Sequence, residues 1–269
     1  MADLTVAQLI ELGARRINTD TDPDELVLPE SSAQRLRRIA EWLVQPPPVL
    51  KEWGLNRYID GGLRALFRGP SGTGKTMAAA ALGRWTERPV FHVDLGAVFS
   101  KYIGETAKKL QDIFAAAAEG GAILYFDEAD ALFGKRSEVQ DSHDRHANAE
   151  IGYLLRRLEP YEGVAILATN RRDNLDQATI NRLDGIVEFP MPDEPAREQL
   201  WRRLLASVKM FQSDDVDVPL LARNFELSGA EILRGVRIAA LLAASEDKPL
   251  DMDLLRHAAA ERVAMRESS

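Results

Sequence analysis

The run Gly69-Pro70-Ser71-Gly72-Thr73-Gly74-Lys75-Thr76 constrains the chain more than any other stretch, because of what flanks it. An apolar segment, Leu63 to Phe67, comes before it, and a helix-forming one, Met77 to Trp85, comes after. The spacing G-x-x-x-x-G-K-[ST] between a strand and a helix is that of a phosphate-binding P-loop. Its glycines let backbone N–H groups turn inward around phosphate oxygens, and the helix starting at about Lys75 aims its partial positive end at the same charge. Lys75 is placed to reach the β- and γ-phosphates, and the Thr76 hydroxyl to ligate Mg²⁺. Gly69, Pro70, Ser71, Gly72, Thr73 and Gly74 then form the cradle of a nucleoside triphosphate site.

The rest of the chain supplies the sheet such a loop needs. Apolar runs suited to strands fall at Leu63 to Phe67, Pro89 to Leu95, Ala122 to Phe126, Val164 to Ala168 and Gly185 to Phe189. Helical patterns at about Lys75 to Trp85, Thr106 to Glu119 and His146 to Leu158 separate them. Near-continuous apolar strands joined by helices imply a parallel sheet covered on both faces. The expected fold class is therefore α/β, an αβα sandwich of the P-loop NTPase kind with a five-stranded parallel sheet. Upstream, Val6, Leu9, Ile10 and Ile17 share a helical face, so a short amphipathic helix is expected up to about Arg16. It either packs on the chain's own core or docks a partner; packing is the simpler reading. Ser31 is expected to cap a second helix with Leu36, Ile39, Ala40 and Leu43 inward, ended by Pro46-Pro47-Pro48. Beyond Pro190-Met191-Pro192 the pattern is helical throughout, with stripes at Leu200, Trp201, Leu204, Leu205 and Val208, at Ile232, Val236, Ala239 and Leu242, and at Leu254, Leu255 and Ala258. Three parts are expected: an N-terminal extension over 1–23, a large nucleotide-binding domain over 24–192 and a small helical domain over 193–269.

Composition excludes several function classes. A chain of 269 residues has no room for two large motor domains, and a net charge of −8 argues against nucleic acid as a partner. The chain has no cysteine, so thiolate metal sites, disulfides and cysteine catalysis are ruled out. No uncharged apolar stretch is long enough to span a bilayer, and Met1-Ala2-Asp3 opens no basic, apolar leader. A cytoplasmic protein without membrane partners is expected.

A second half of the site follows from two strand ends. Ile123-Leu124-Tyr125-Phe126-Asp127-Glu128 is an apolar strand closing on two acids, and Ala165-Ile166-Leu167-Ala168-Thr169-Asn170 closes on a polar pair. In an open parallel sheet, reactive groups gather outside the carboxyl ends of the strands. Asp127 is expected to hold Mg²⁺, directly or through water, and Glu128 to polarise the attacking water. Asn170 is expected to bond the γ-phosphate or position that water. Asp127-Glu128-Ala129-Asp130 also spells a helicase signature, but the second motor domain and basic face of such a helicase are missing. His143 and His146 with Asp141 and Asp144 are read as loop surface in preference to a metal site.

The glycine loop, the Asp-Glu strand, the Thr-Asn strand and the helical tail together resemble the AAA+ ATPases, specifically the AAA clade of ring-forming remodelling motors that includes katanin and spastin. The resemblance covers about Asp24 to Ala264. Three further runs, Ser100 to Thr106, Phe133 to Val139 and Ser142 to Arg145, are similar to AAA ATPases encoded beside phage-tail-like contractile injection systems. This resemblance implies ATP and Mg²⁺ as cofactors and a homo-oligomer, a hexameric ring in the family, whose helical tail acts as a lid. It also implies a protein client, possessed in that subgroup by the injection system as component or cargo. Lys101, Tyr102 and Ile103 match the first pore loop, whose aromatic grips an extended polypeptide; Tyr102 packing on its own domain is the alternative. Lys135 and Arg136 sit where a second pore loop begins. Val27 and Leu28 match the segment that touches adenine. The clade usually places two arginines after its fourth strand to reach a neighbour's γ-phosphate, whereas this chain has Asn181 and Arg182 there. Arg182 is the one finger candidate, with a surface ion pair as the alternative. Arg234 or Leu233 occupies the lid's sensing position. The resemblance thus implies an ATP-hydrolysing remodelling motor, the other reading being a slow or non-hydrolysing assembly factor.

Overall fold

The computed structural model describes residues 2–44, 52, 54, 62–98, 103–129, 153–170, 180–208 and 213–267. Five of its strands are those expected: β2 (Leu63–Arg68), β3 (Val90–Asp94), β4 (Ile123–Asp127), β5 (Val164–Thr169) and β6 (Gly185–Glu188). All pairings among them are parallel. A sixth strand, β1 (Arg15–Ile17), joins β3 antiparallel at the edge and gives the order β1-β3-β4-β5-β2-β6. The sheet therefore has six strands where the sequence reading expected five.

That correction has a local cause. The first helix, α1 (Ala2–Glu11), stops short of Arg16 because Gly13 takes a left-handed conformation, φ 90°. The Ala14 N–H donates to the Leu9 carbonyl at 2.9 Å and the Gly13 N–H to the Ile10 carbonyl at 2.9 Å, a Schellman ending. The chain leaves this turn extended and pairs Arg15 with His92 and Ile17 with Val90. Leu9 is buried in the main core, whereas Ile10, expected to share its inward face, is exposed. The helix thus packs on its own domain.

Helix α2 (Glu30–Val44) buries Leu36, Ile39, Ala40 and Leu43 as expected. Ser31 is not its cap, since the helix already includes Glu30. Ser32 instead donates to the Glu188 carbonyl at 2.6 Å, and Arg35 to the Ile186 carbonyl at 2.8 Å, tying α2 to edge strand β6. Helix α3 (Lys75–Trp85) follows the glycine loop, α4 (Leu95–Val98) is one turn, and α5 (Ile103–Glu119) buries Leu110, Ile113, Phe114 and Ala117. Residues 153–158 are helical, with Leu154 and Leu158 buried. β4 and β5 lie inside the sheet, and their near-uniform burial explains their unbroken apolar letters.

The described residues fall into two compact units: those of Met1–Leu26, Glu30–Gly69 and Lys75–Glu188, and those of Val27–Pro29, Pro70–Gly74 and Phe189–Ser269. The second holds α6 (Glu194–Ser207), α7 (Val218–Asn224), α8 (Gly229–Ser245) and α9 (Met252–Glu267) around Trp201, Leu221, Ile232, Ala239 and Leu255. Each of the first three helices has a built N-cap. Asp193 accepts from the Ala196 N–H and Asp217 from the Leu220 N–H, while Ser228 and Glu231 form a reciprocal capping box.

Candidate nucleotide-binding site

The loop after β2 owes its course to two glycines. Gly72 and Gly74 have φ of 79° and 102°, which side chains with a Cβ rarely adopt. A Cβ on Gly72 would also lie 2.7 Å from the Ser228 Oγ. The Gly72 carbonyl accepts from the Ala230 N–H at 3.1 Å, and Thr73 Oγ1 donates to the Pro70 carbonyl at 2.8 Å. Lys75 opens α3 with its side chain turned inward. Its Nζ donates to the Gly69 carbonyl at 2.6 Å and to Asn170 Oδ1 at 2.8 Å.

Sheet register brings the other groups to the same edge. Arg68 lies level with Thr169 and Asp94 with Asp127, so β2, β3, β4 and β5 end side by side. β5 runs between β4 and β2, which sets Asn170 between Asp127 and Gly69. The Gly69 N–H donates to the Thr169 carbonyl at 3.1 Å and the Ala129 N–H to the Ala168 carbonyl at 2.8 Å, fixing both chain exits to β5. Glu128 is exposed and has φ of 51°, an uncommon conformation for a residue with a Cβ. Its N–H donates to Asp127 Oδ1 at 2.9 Å. His92 Nε2 stands 4.0 Å from Asp127 Oδ2, beyond hydrogen-bond length.

One residue of this edge escaped the sequence reading. Tyr125 is fully buried on β4, two residues before Asp127 and so on the same face of the strand. Its hydroxyl lies 3.1 Å from Thr76 Oγ1. Burial raises its pKa above the ordinary phenol value; the Thr76 hydrogen bond opposes that rise, and the charge of Asp127 and a hydrogen bond to it add to it. In the sequence Tyr125 reads as one more strand letter.

The remaining candidates divide. Val27 and Leu28 are half-buried in the extended stretch before α2. Arg182 is exposed and ion-paired with Glu159 of its own chain, and Asn181 beside it is exposed. Leu233 and Arg234 both lie exposed on α8. Ile103 begins α5. Lys101, Tyr102, Asp130, Lys135, Arg136, Asp141, His143, Asp144 and His146 lie outside the described residues. No cluster of three or more metal-ligating His, Asp or Glu occurs among the described residues.

Comparison with known proteins assigns one stretch of the chain. Residues 65–191 match the ATPase family associated with various cellular activities (AAA). This stretch is an AAA ATPase domain. The chain is 36% identical over 207 residues to the 26S proteasome regulatory subunit 6B homolog of Dictyostelium discoideum, covering 74% of this chain and 50% of that protein. It is 33% identical over 227 residues to proteasome-activating nucleotidase 1 of Haloferax volcanii, covering 81% and 54%. A proteasome-activating nucleotidase of Saccharolobus solfataricus is 32% identical over 211 residues, covering 76% and 52%. The chain spans about half the length of these curated relatives.

ATP and Mg²⁺ are the ligands of an AAA domain, and the residues present suit them. An inward ammonium, a hydroxyl at the first turn of α3 and a carboxylate at the end of β4 suit a magnesium-bound triphosphate. When bound, Mg²⁺ neutralises charge on the phosphates. No helix among the described residues is long and apolar enough to cross a membrane.

Proposed function

We propose that the protein is an ATP-hydrolysing remodelling motor of the cytoplasm. The observation that carries this reading is the meeting of Lys75, Asn170, Thr76 and Asp127 at one edge of the sheet. In this reading the loop amides and Lys75 hold the phosphates, Thr76 and Asp127 serve the cation, Glu128 draws the proton from water and Asn170 orients it. Glu128 is exposed just beyond the strand, with a left-handed backbone. Subunits join as a homo-oligomeric ring, hexameric by analogy with the AAA clade, in which Arg182 reaches the site of a neighbour. An N-terminal extension over 1–23, an ATPase domain over 24–192 and a lid over 193–269 make up each subunit. Val27 and Leu28 line the adenine, and Lys101, Tyr102 and Ile103 grip an extended protein client.

The client is a protein segment on two grounds. The relatives are named for proteasome activation, and the run at 100–106 matches a pore loop. Its narrower identity, a component or cargo of a contractile injection system, is supported by the runs at 100–106, 133–139 and 142–145 alone. Glu128→Gln held in ATP tests the whole reading by pull-down. It should retain a client that Tyr102→Ala in the same background loses; equal recovery from both sinks the pore assignment.

A second reading is favoured by the Arg182–Glu159 ion pair and by Asn181 in place of a second arginine. Here ATP binding assembles the ring and hydrolysis is slow. Basal turnover measured beside native mass, with and without ATP, separates the two readings.

A further inference from the structure

A hydroxyl that ligates a cation must offer it a lone pair, so its proton has to go elsewhere. Among the described residues, the Tyr125 hydroxyl stands 3.1 Å from Thr76 Oγ1 and is suited to take it. Either oxygen could donate by geometry alone, but a cation on the Thr76 lone pair leaves Thr76 as the donor. The Thr76 proton then goes to the phenol oxygen 3.1 Å away. We propose that Tyr125 is a positioning residue for Mg²⁺: it accepts the hydrogen bond of Thr76, turning the Thr76 lone pairs toward the cation. The contact links α3, which carries Thr76, to β4, which carries Tyr125 and Asp127, through a buried group. Full burial keeps water from substituting for the phenol, so its loss is felt by Thr76 directly.

This inference rests on the nucleotide site proposed above, and the test separates them. Tyr125→Phe removes the hydroxyl and leaves the ring that packs in the sheet. Binding of a fluorescent ADP is titrated in EDTA and again against Mg²⁺, below the melting temperature of each protein. The variant should bind ADP in EDTA as the wild type does and need about tenfold more Mg²⁺ for half-maximal effect, the low end of what outer partners of a metal site contribute. An unchanged Mg²⁺ requirement overturns the inference, as does an equal loss of affinity in EDTA, which marks a structural role. A wild type that binds no ADP under either condition overturns the nucleotide site and this inference with it. Should Tyr125→Phe not fold, wild-type protein labelled with ¹³Cζ-tyrosine carries the test. Its Tyr125 signal, assigned by phenylalanine substitution of the other tyrosines, should move when Mg²⁺ is added to the ADP complex; a signal that stays put overturns the inference.

Discussion

Lys75 shows what the site costs before any ligand arrives. A buried ammonium is tolerable only with acceptors around it, and the Gly69 carbonyl and Asn170 Oδ1 supply them. A bound γ-phosphate would compete with Asn170 for the same nitrogen, which turns Asn170 toward the phosphate or the water beside it. Lys75→Ala should therefore abolish measurable ATP binding in a fluorescence titration; near-normal affinity would contradict the loop assignment. Glu128→Gln should bind ATP normally and lose turnover by about 10²- to 10⁴-fold, the usual contribution of a general base. Phosphate release under saturating ATP checks this, and turnover near that of the wild type removes Glu128 from the role. These residues were legible in the sequence because their chemistry dictates their spacing. Tyr125 was not, since a strand in an apolar core accepts Tyr for its ring, and the partner of its hydroxyl lies 49 residues away on another element.

At the level of elements, the five parallel strands were readable because buried strands leave long apolar runs, and three of the four C-terminal helices because apolar stripes recur at helical spacing; the two-turn α7 is too short to show one. The N-terminal segment defeated the same reasoning. Ile17 lies in helical phase with Val6 and Leu9, yet Gly13 had already ended the helix and Ile17 belongs to β1. Periodicity continued across the break by coincidence, and the glycine was the signal that outweighed it. Ser31 misled in the opposite way, as a good cap residue one position inside a helix that Glu30 had begun. If the Schellman ending sets β1 in register, Gly13→Ala should destabilise the protein by about 1 kcal/mol, because alanine is strained at positive φ. A urea melt reads this as a lower midpoint at constant slope. No shift in midpoint would mean that the turn relaxes at no cost and that α1 and β1 are set by their packing alone.

At the scale of the whole molecule the open issue is whether one chain completes its own site. Arg182 is paired with Glu159 and exposed, so as an arginine acting on a neighbour it must first exchange one carboxylate for the triphosphate. Surface pairs of this kind contribute about 0–1 kcal/mol, a small obstacle beside the rate an arginine in trans can supply, about 10³- to 10⁵-fold. Arg182→Ala should then bind ATP and turn it over poorly, and Lys75→Ala should bind none. Mixing the two gives a decisive outcome. Where an Arg182→Ala subunit sits beside a Lys75→Ala subunit, the first holds the nucleotide and the second supplies the arginine. With random placement and independent sites, an equal mixture should recover up to about a quarter of wild-type turnover, since head-to-tail contacts in a ring present each site to one neighbour. A mixture no more active than its two components, with mixed rings demonstrated by native mass, would show that Arg182 acts within its own chain or not at all. The ion pair with Glu159 would then be its whole function.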